Sequence, residues 1–334
     1  METNSYPKVS VIVAARNEEC NIQDCILALT NQDYPEDLYN IWIGDDNSID
    51  DTASIVQNMR NTFSQIHLLR VKEKISNLIG KANVLAQLAH KADGEIFLIT
   101  DADVRVSSTW IKFMVSQFTP DISLISGTVA LNGESTFALL QNADWIYYLA
   151  ECNKKSEKGQ PVTAIGCNMA IRATVYRAIG GYENIPFSVT EDYELFRAVL
   201  NAGYGAKNLL HKELLAFTSP VESFTELLNQ RRRWLTGSFR ENWRFVVGFN
   251  LKCLFLPVLI IAGFFIGFAI PAIIFLSKWL MDILFLREAY NKLDLEFNRG
   301  VFFYTPYMMI CNCIYLSFQF LPTPIEWKGR TYNK

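Results

Sequence analysis

The sequence predicts an α/β protein: a mostly parallel, doubly wound sheet followed by apolar C-terminal helices. Three observations carry this. Short apolar runs alternate with helical stretches over the first hundred residues. Three polar clusters, two of them strongly acidic, each follow one of those runs. The last quarter of the chain holds two long stretches without a charged residue.

Taken in order, Lys8 to Ala15 (KVSVIVAA) is a continuous, β-branched run. That is the pattern of a strand buried on both faces, as in a parallel sheet. Arg16-Asn17-Glu18-Glu19 opens a helical stretch to about Thr30, and Tyr34-Pro35 breaks it. Asn40 to Gly44 is a second buried strand ending in Asp45-Asp46-Asn47-Ser48, with a helix from about Asp51 to Arg60. Gln65 to Val71 is a third strand and Gly80 to His90 a third helix; Glu95 to Thr100 is a fourth strand, ending in Asp101-Ala102-Asp103. This alternation with short loops implies right-handed crossovers, and ligands then bind outside the carboxyl ends of the strands. Beyond Asp103 the pattern is mixed: helix 108–118, strand 121–131, helix 134–151, an extended piece 162–172, a helix opened by Thr190-Glu191-Asp192, and a basic amphipathic stretch from Phe224 to Arg240.

Composition narrows the class. Half of the 334 residues are hydrophobic and 13% aromatic, enough for a sizeable core. A net charge of −3 speaks against nucleic acid as a partner. The seven cysteines form no CxxC pair and no zinc-spaced Cys/His cluster, a usage that fits a reducing compartment. The N-terminal residues show no apolar h-region, so a secretory signal is not expected and the soluble part is placed on the cytoplasmic side.

Cys253 to Leu276 holds no charge over 24 positions, about 36 Å of helix, against a bilayer core of about 30 Å. Val301 to Leu321 is a second uncharged run, and Trp279, Tyr304, Tyr307 and Trp327 stand where interfacial anchors would. Arg231, Arg232, Arg233, Arg240 and Arg244 precede the first run, and Lys328, Arg330 and Lys334 follow the second. With basic flanks cytoplasmic, two crossings are expected; a continuation to Leu286, interrupted by Asp282, leaves three open. The expected organisation is a cytosolic domain 1–222, an interfacial segment 223–248 and a multi-pass membrane region 249–334.

Several clusters carry chemistry. Asp101 and Asp103, two residues apart at a strand end, repel unless a cation joins them; a hard divalent ion would, and would bridge a diphosphate as well. Asp50 or Asp51 serves as a helix cap, which leaves Asp45 and Asp46 for a uracil or ribose edge. Lys81 at a helix start opposes the helix dipole, a conflict that a diphosphate would resolve. Glu191-Asp192 suits the dipole and also suits a general base. In Gln230-Arg231-Arg232-Arg233-Trp234, Gln230, Arg233 and Trp234 share one helix face; arginine grips a diphosphate bidentately and tryptophan offers a flat face to a sugar.

The ordered set VSVIVAARNEE, DDNSIDDT, GKANVLAQLAHKADGE, TDAD, AIGCNMAIR, TED and QRRRW, from about Val9 to Trp234, resembles the family 2 glycosyltransferases of GT-A fold. Ala14 stands where that family often has proline. The resemblance implies that Ala15, Arg16, Glu18 and Asp46, with Asp45 as the alternative, line the nucleoside pocket. Lys81 would lie near the nucleotide, Asp101 would touch donor groups, and Asp103 would bind Mg2+ or Mn2+. Asp192, beside Glu191, would be the catalytic base. Gly166, Asn168, Gln230, Arg233 and Trp234 would serve the acceptor and diphosphate side. The implied reaction is inverting transfer from a nucleotide-diphosphate sugar, uridine being the default base and guanosine open. A lipid or lipid-linked acceptor is expected, because two or three spans are few for a secretion channel and the WKGR tail is similar to that of lipid-directed relatives. A processive polysaccharide synthase subunit is the alternative, and a non-catalytic nucleotide-sugar-binding scaffold a further one.

Overall fold

In a computed structural model, the protein is described for residues 6–186, 188–239, 243–318, 325–327 and 330–332. Arg240, Lys328 and Lys334, used above for topology, lie outside these residues, as do the side chains of Arg244, Trp327 and Arg330. The chain divides into two compact units: Met1–Ala130 with Glu151–Ser219, and Leu131–Ala150 with Pro220–Lys334. The expected boundary at 222 lies close to Pro220, but the segment Leu131–Ala150, expected in the first domain, belongs to the second unit.

The first unit is built on a seven-stranded sheet. Its strands are β1 (Val9–Ala15), β2 (Tyr39–Asp45), β3 (Ile66–Arg70), β4 (Ile96–Asp101), β6 (Ile122–Ser126), β8 (Asn168–Arg172) and β9 (Gly205–Asn208), in the order β3-β2-β1-β4-β8-β6-β9. The first four are parallel to one another, β8 runs antiparallel to both β4 and β6, and β9 is parallel to β6. The parallel half is where the apolar runs predicted it. Val9, Val11 and Val13 are sealed in the core together with Ile41, Ile43 and Leu98, because crossover helices cover both faces of such strands. Those helices are α1 (Ile22–Thr30), α2 (Thr52–Thr62) and α3 (Gly80–Lys91), with α4 (Trp110–Ser116), α6 (Ala173–Ala178) and α7 (Glu191–Asn201) further along.

Two local expectations change, and a third narrows from two residues to one. Residues 16–21 form a loop rather than the start of α1, because Asn17 adopts a left-handed backbone (φ 52°), a conformation asparagine tolerates. The predicted strand 121–131 breaks at Gly127 into β6 and β7 (Thr128–Leu131). The two belong to different sheets, the second being a small one of β5 (Arg105–Val106), β10 (Leu215–Thr218) and β7. A side chain at Gly127 would lie 2.6 Å from the amide of Asn168, so only glycine lets the chain leave the sheet there. Asp51 gives no side-chain cap to α2; the Asp50 carboxylate instead accepts from the Thr52 amide (3.1 Å).

The second unit is helical, with part of α5 (Thr136–Ser156), then α8 (Phe224–Phe239), α9 (Trp243–Ile266), α10 (Ala269–Leu293) and α11 (Arg299–Phe318), and a short ribbon of β11 (Ile325–Trp327) and β12 (Arg330–Tyr332). The uncharged run 253–276 is not one span. Gly267, at φ +80°, turns the chain between α9 and α10. The helices long and apolar enough to cross a membrane are Val247–Ile266 and Ala269–Leu293, and the expected second span, 301–321, is not among them in the described residues. Of the expected interfacial anchors, Tyr304 is buried and Trp279 part-exposed. Tyr304 stacks on Tyr147 at 4.7 Å, and the Trp279 indole donates to the Phe302 carbonyl (2.7 Å).

Candidate active site

Strand register brings the acidic clusters of the first unit together. Ala15, the last residue of β1, is level with Asp45 of β2, and Ala14 is level with Asp101 of β4. The carboxyl edge therefore carries an acidic residue on each side of β1. The loops above it are tied to each other. Asn17 receives the Ile49 amide on its side-chain oxygen (3.0 Å) and gives its own amide to Ser48 (3.0 Å), while the Glu18 amide reaches Thr52 (2.7 Å). Arg16 donates to the Asp46 carbonyl at 2.5 Å, and Asp45 accepts from the Ser48 amide at 3.2 Å. Ala15 is buried and contributes its carbonyl, which accepts the Asp46 amide (2.9 Å). The Glu18 carboxylate accepts from Asn21 (2.9 Å).

Lys81 lies at the heart of the cluster. Its ammonium is 2.5 Å from Asp101 and 3.3 Å from Glu191. Burial works against that charge, but the carboxylates of Asp101, Glu191 and Asp192 outweigh it and hold the lysine pKa above its ordinary value. The conflict with the helix dipole noted from sequence is thus resolved by the protein's own carboxylates, and Lys81 is the cation that joins Asp101.

Asp192 sits in the first turn of α7. It accepts hydrogen bonds from the amides of Gly166 (2.7 Å) and Tyr193 (2.8 Å). Burial, and next the Glu191 carboxylate, push its pKa up to about 6, against the opposing pull of Lys81 and the two amides. A side-chain carbon at Gly166 would come within 2.9 Å of the Asp192 carboxylate, so glycine is what permits this approach.

Asn168 has a different place from the one expected. It is fully buried and pairs with Thr100 in the sheet. Its amide donates to the carbonyls of Thr128 and Leu214 (2.7 Å each) and accepts from the Trp110 indole (2.9 Å). With that amide engaged internally, Asn168 fastens the sheet.

Residues of the QRRRW stretch belong to the second unit, on α8. Gln230, Arg233 and Trp234 are part-exposed. Arg231, read from sequence only as a basic flank, is largely enclosed, its side chain 12% exposed. It pairs with Asp144 of α5 at 2.7 Å and lies 4.5 Å from the Trp234 ring, which itself packs 4.9 Å from Trp145. No local signal marks this pair, whose members are 87 residues apart.

A divalent ion is implied at Asp103. Mg2+ and Mn2+ take one or two carboxylates and complete their shell with phosphate oxygens and water. Asp101 and Asp103 are hard oxygen donors of that kind, two residues apart at the end of β4, and with Asp101 held by Lys81 the donor set fits an ion carried chiefly by Asp103. Among the described residues, no three His, Cys, Asp or Glu converge to form an all-protein cage.

A doubly wound sheet with an acidic, lysine-bridged carboxyl edge places these polar groups where proteins of α/β class bind their ligands. Comparison with known proteins names the family. The family model "Glycosyl transferase family 2" matches residues 10–180, and "Glycosyl transferase family group 2" matches 96–320. The chain therefore belongs to glycosyl transferase family 2. It is similar to beta-monoglucosyldiacylglycerol synthase of Synechocystis sp., with 26% identity over 256 residues, 73% of this chain and 51% of the relative. It is also similar to poly-beta-1,6-N-acetyl-D-glucosamine synthase of Staphylococcus epidermidis, with 24% identity over 90% of this chain and 71% of the relative. The chain spans about half the length of the first of these. Among solved structures, mannosyltransferase PcManGT from Pyrobaculum calidifontis, in complex with GDP-Man and Mn2+, shares the fold. Its TM-score is 0.56 at 17% identity, over 93% of this chain and 89% of that one.

Proposed function

We propose that this chain transfers a sugar from a nucleotide-diphosphate sugar to a lipid or lipid-linked acceptor at a membrane, in one inverting displacement assisted by Mg2+ or Mn2+. The observation that carries this reading is the cluster of Lys81, Asp101, Glu191 and Asp192 at the carboxyl edge of the sheet. Asp192, with a pKa near 6, is mostly deprotonated at neutral pH and basic enough to take a proton from an acceptor hydroxyl. The two amides that it accepts from hold it in position. The zipped loops around Arg16, Glu18, Asp45 and Asp46 suit a nucleoside, and Lys81 and Asp101 suit the donor's diphosphate and sugar. When bound at Asp103, a divalent ion supplies positive charge against the leaving diphosphate. Gln230, Arg233 and Trp234 carry over by resemblance as diphosphate and acceptor contacts.

The lipid acceptor rests on two supports. A similar protein is named beta-monoglucosyldiacylglycerol synthase, and α9 and α10 are long, apolar and mostly exposed. Membrane attachment is part of the same proposal. The likeness to a polysaccharide synthase over 90% of the chain favours a second reading, processive polymer synthesis. A donor panel on detergent-solubilised protein with Mn2+ or Mg2+ tests both. Nucleoside diphosphate released from one donor, raised by a lipid extract and abolished by Asp103→Ala, is the expected result. Long polymer from the purified protein establishes the second reading instead, and no release from any donor overturns both.

A further inference from the structure

The α9–α10 hairpin is joined by Gly267 and Phe268 alone. From residue 253 to 276 it carries no charge, and the turn Phe264-Phe265-Ile266-Gly267-Phe268-Ala269-Ile270 has no polar side chain. Phe264 and Phe265 are 77% and 84% exposed. A hairpin that crosses a bilayer delivers its turn into water on the far side, and nothing in this turn suits water.

The level at which the hairpin leaves the rest of the second unit is set by α5 and α11. On α10, Asp282 accepts from Tyr147 of α5 (3.2 Å), from Lys278 (2.8 Å) and from Thr305 of α11 (2.9 Å). Further along α10, the Tyr290 hydroxyl accepts from Asn142 of α5 (3.2 Å). The C-terminal half of α10 is therefore a packing helix on α5. The helix α11 braces both arms, through Phe302 to Trp279 on α10 and through Cys313 to the Cys253 carbonyl on α9 (3.8 Å). Past these contacts, α9 continues from residue 254 to 266 and α10 occupies 269 to 278. At 1.5 Å per residue these arms are about 20 and 15 Å long, and a hydrocarbon core is about 30 Å thick. Neither charge-free arm, bounded by Lys252 on α9 and Lys278 on α10, is as long as that core.

We propose that this hairpin is re-entrant: it enters the bilayer from one side, turns at Gly267–Phe268 inside the hydrocarbon region and returns to the same side, anchoring the protein without crossing. The inference rests on the membrane attachment proposed above and specifies its topology, replacing the two or three crossings expected from sequence. The turn is built to limit the cost of placing backbone in lipid, where each open polar group is expensive. It is two residues long, and Gly267 takes the left-handed conformation without strain. Pro271 has no amide hydrogen to leave open, and the Ala272 amide already bonds to the Phe268 carbonyl (3.0 Å). The Phe268 ring lies where a side chain on Gly263 would be, 2.3 Å from that position, and meets Phe264 edge-on at 5.4 Å, closing the tip.

The test uses full-length protein added to preformed, sealed phosphatidylcholine–phosphatidylglycerol liposomes. Flotation with the liposomes checks the attachment itself; wild-type protein that stays in solution removes that reading and this one with it. For topology, Phe265→Cys is exposed to a membrane-impermeant maleimide from outside or trapped in the lumen, with exposed Cys20 marking the outer side. Protection of position 265 from both sides is expected. Labelling from the lumen shows a crossing, and labelling from outside shows a tip in water; either overturns the proposal. In a Cys20→Ser background, a spin label at 265 is expected to collide freely with oxygen and little with a water-soluble nickel chelate. Low collision with both means that a second copy of the chain covers the tip, which also overturns it. Phe265→Lys is expected to weaken flotation at least tenfold; unchanged flotation would place the tip in water.

Discussion

At the residue scale the site turns on how close a carboxylate can stand to an amide and to an ammonium. Replacing Asp192 by Asn keeps the shape and removes the proposed base. Turnover is expected to fall by about 10²–10⁴-fold with nucleotide binding retained, measured as diphosphate release beside equilibrium binding. Because the proposed base must be deprotonated and the Asp192 pKa is about 6, kcat/KM should hold above pH 6 and fall about tenfold per unit below it. Removing the opposing charge with Lys81→Met should move that acid limb to higher pH, a shift that mere misfolding does not produce. The stability sign is the reverse of the usual carboxylate case. A folded pKa raised above 3.8 means that the folded state loses stability as pH rises from about 4 to 6. Asp192→Asn should therefore melt at or above the wild-type temperature at pH 7.5. Gly166→Ala forces a carbon against the Asp192 carboxylate and should lower turnover while leaving donor affinity unchanged, read as kcat against KM.

The same residues measure how legible the site was. Asp101, Asp103, Lys81 and Glu191-Asp192 stood out in the sequence, because each sits where a strand ends or a helix starts. Asn168 was expected on the acceptor side from its motif, and its amide is taken up by Trp110, Thr128 and Leu214, partners that no local pattern shows. The exchange of partners between Lys81 and Asp101 was also hidden, since no spacing rule joins residues on different elements.

At the element scale, the buried pair Arg231–Asp144 fastens α8 to α5, with Trp145 and Trp234 packed against the guanidinium. Removing one partner leaves a charge buried without compensation, so Asp144→Ala should cost about 3–5 kcal/mol in thermal unfolding of the detergent-solubilised protein. The double variant Asp144→Ala/Arg231→Met should recover part of that loss. Parallel strands were readable because burial on both faces makes them uniformly apolar; the antiparallel β8 was not, because a short apolar run carries no mark of its direction.

At the scale of the whole molecule, the proposed chemistry needs an ion and a membrane. Chelation should abolish diphosphate release, and added Mn2+ should restore it in the wild type but not in Asp103→Ala. A liposome-bound enzyme should turn over a lipid acceptor faster than the same enzyme in detergent, because the acceptor is concentrated where the hairpin anchors.

By itself the sequence determined the alternation of buried strands and helices, the acidic carboxyl edge and the apolar C-terminal region, since each is written in local periodicity and composition. Only the tertiary structure decided which carboxylate Lys81 neutralises, that Asn168 belongs to the sheet, and that half of α10 is occupied by α5. These outcomes depend on side chains brought together from distant elements, and local pattern does not record which distant partner satisfies a buried charge.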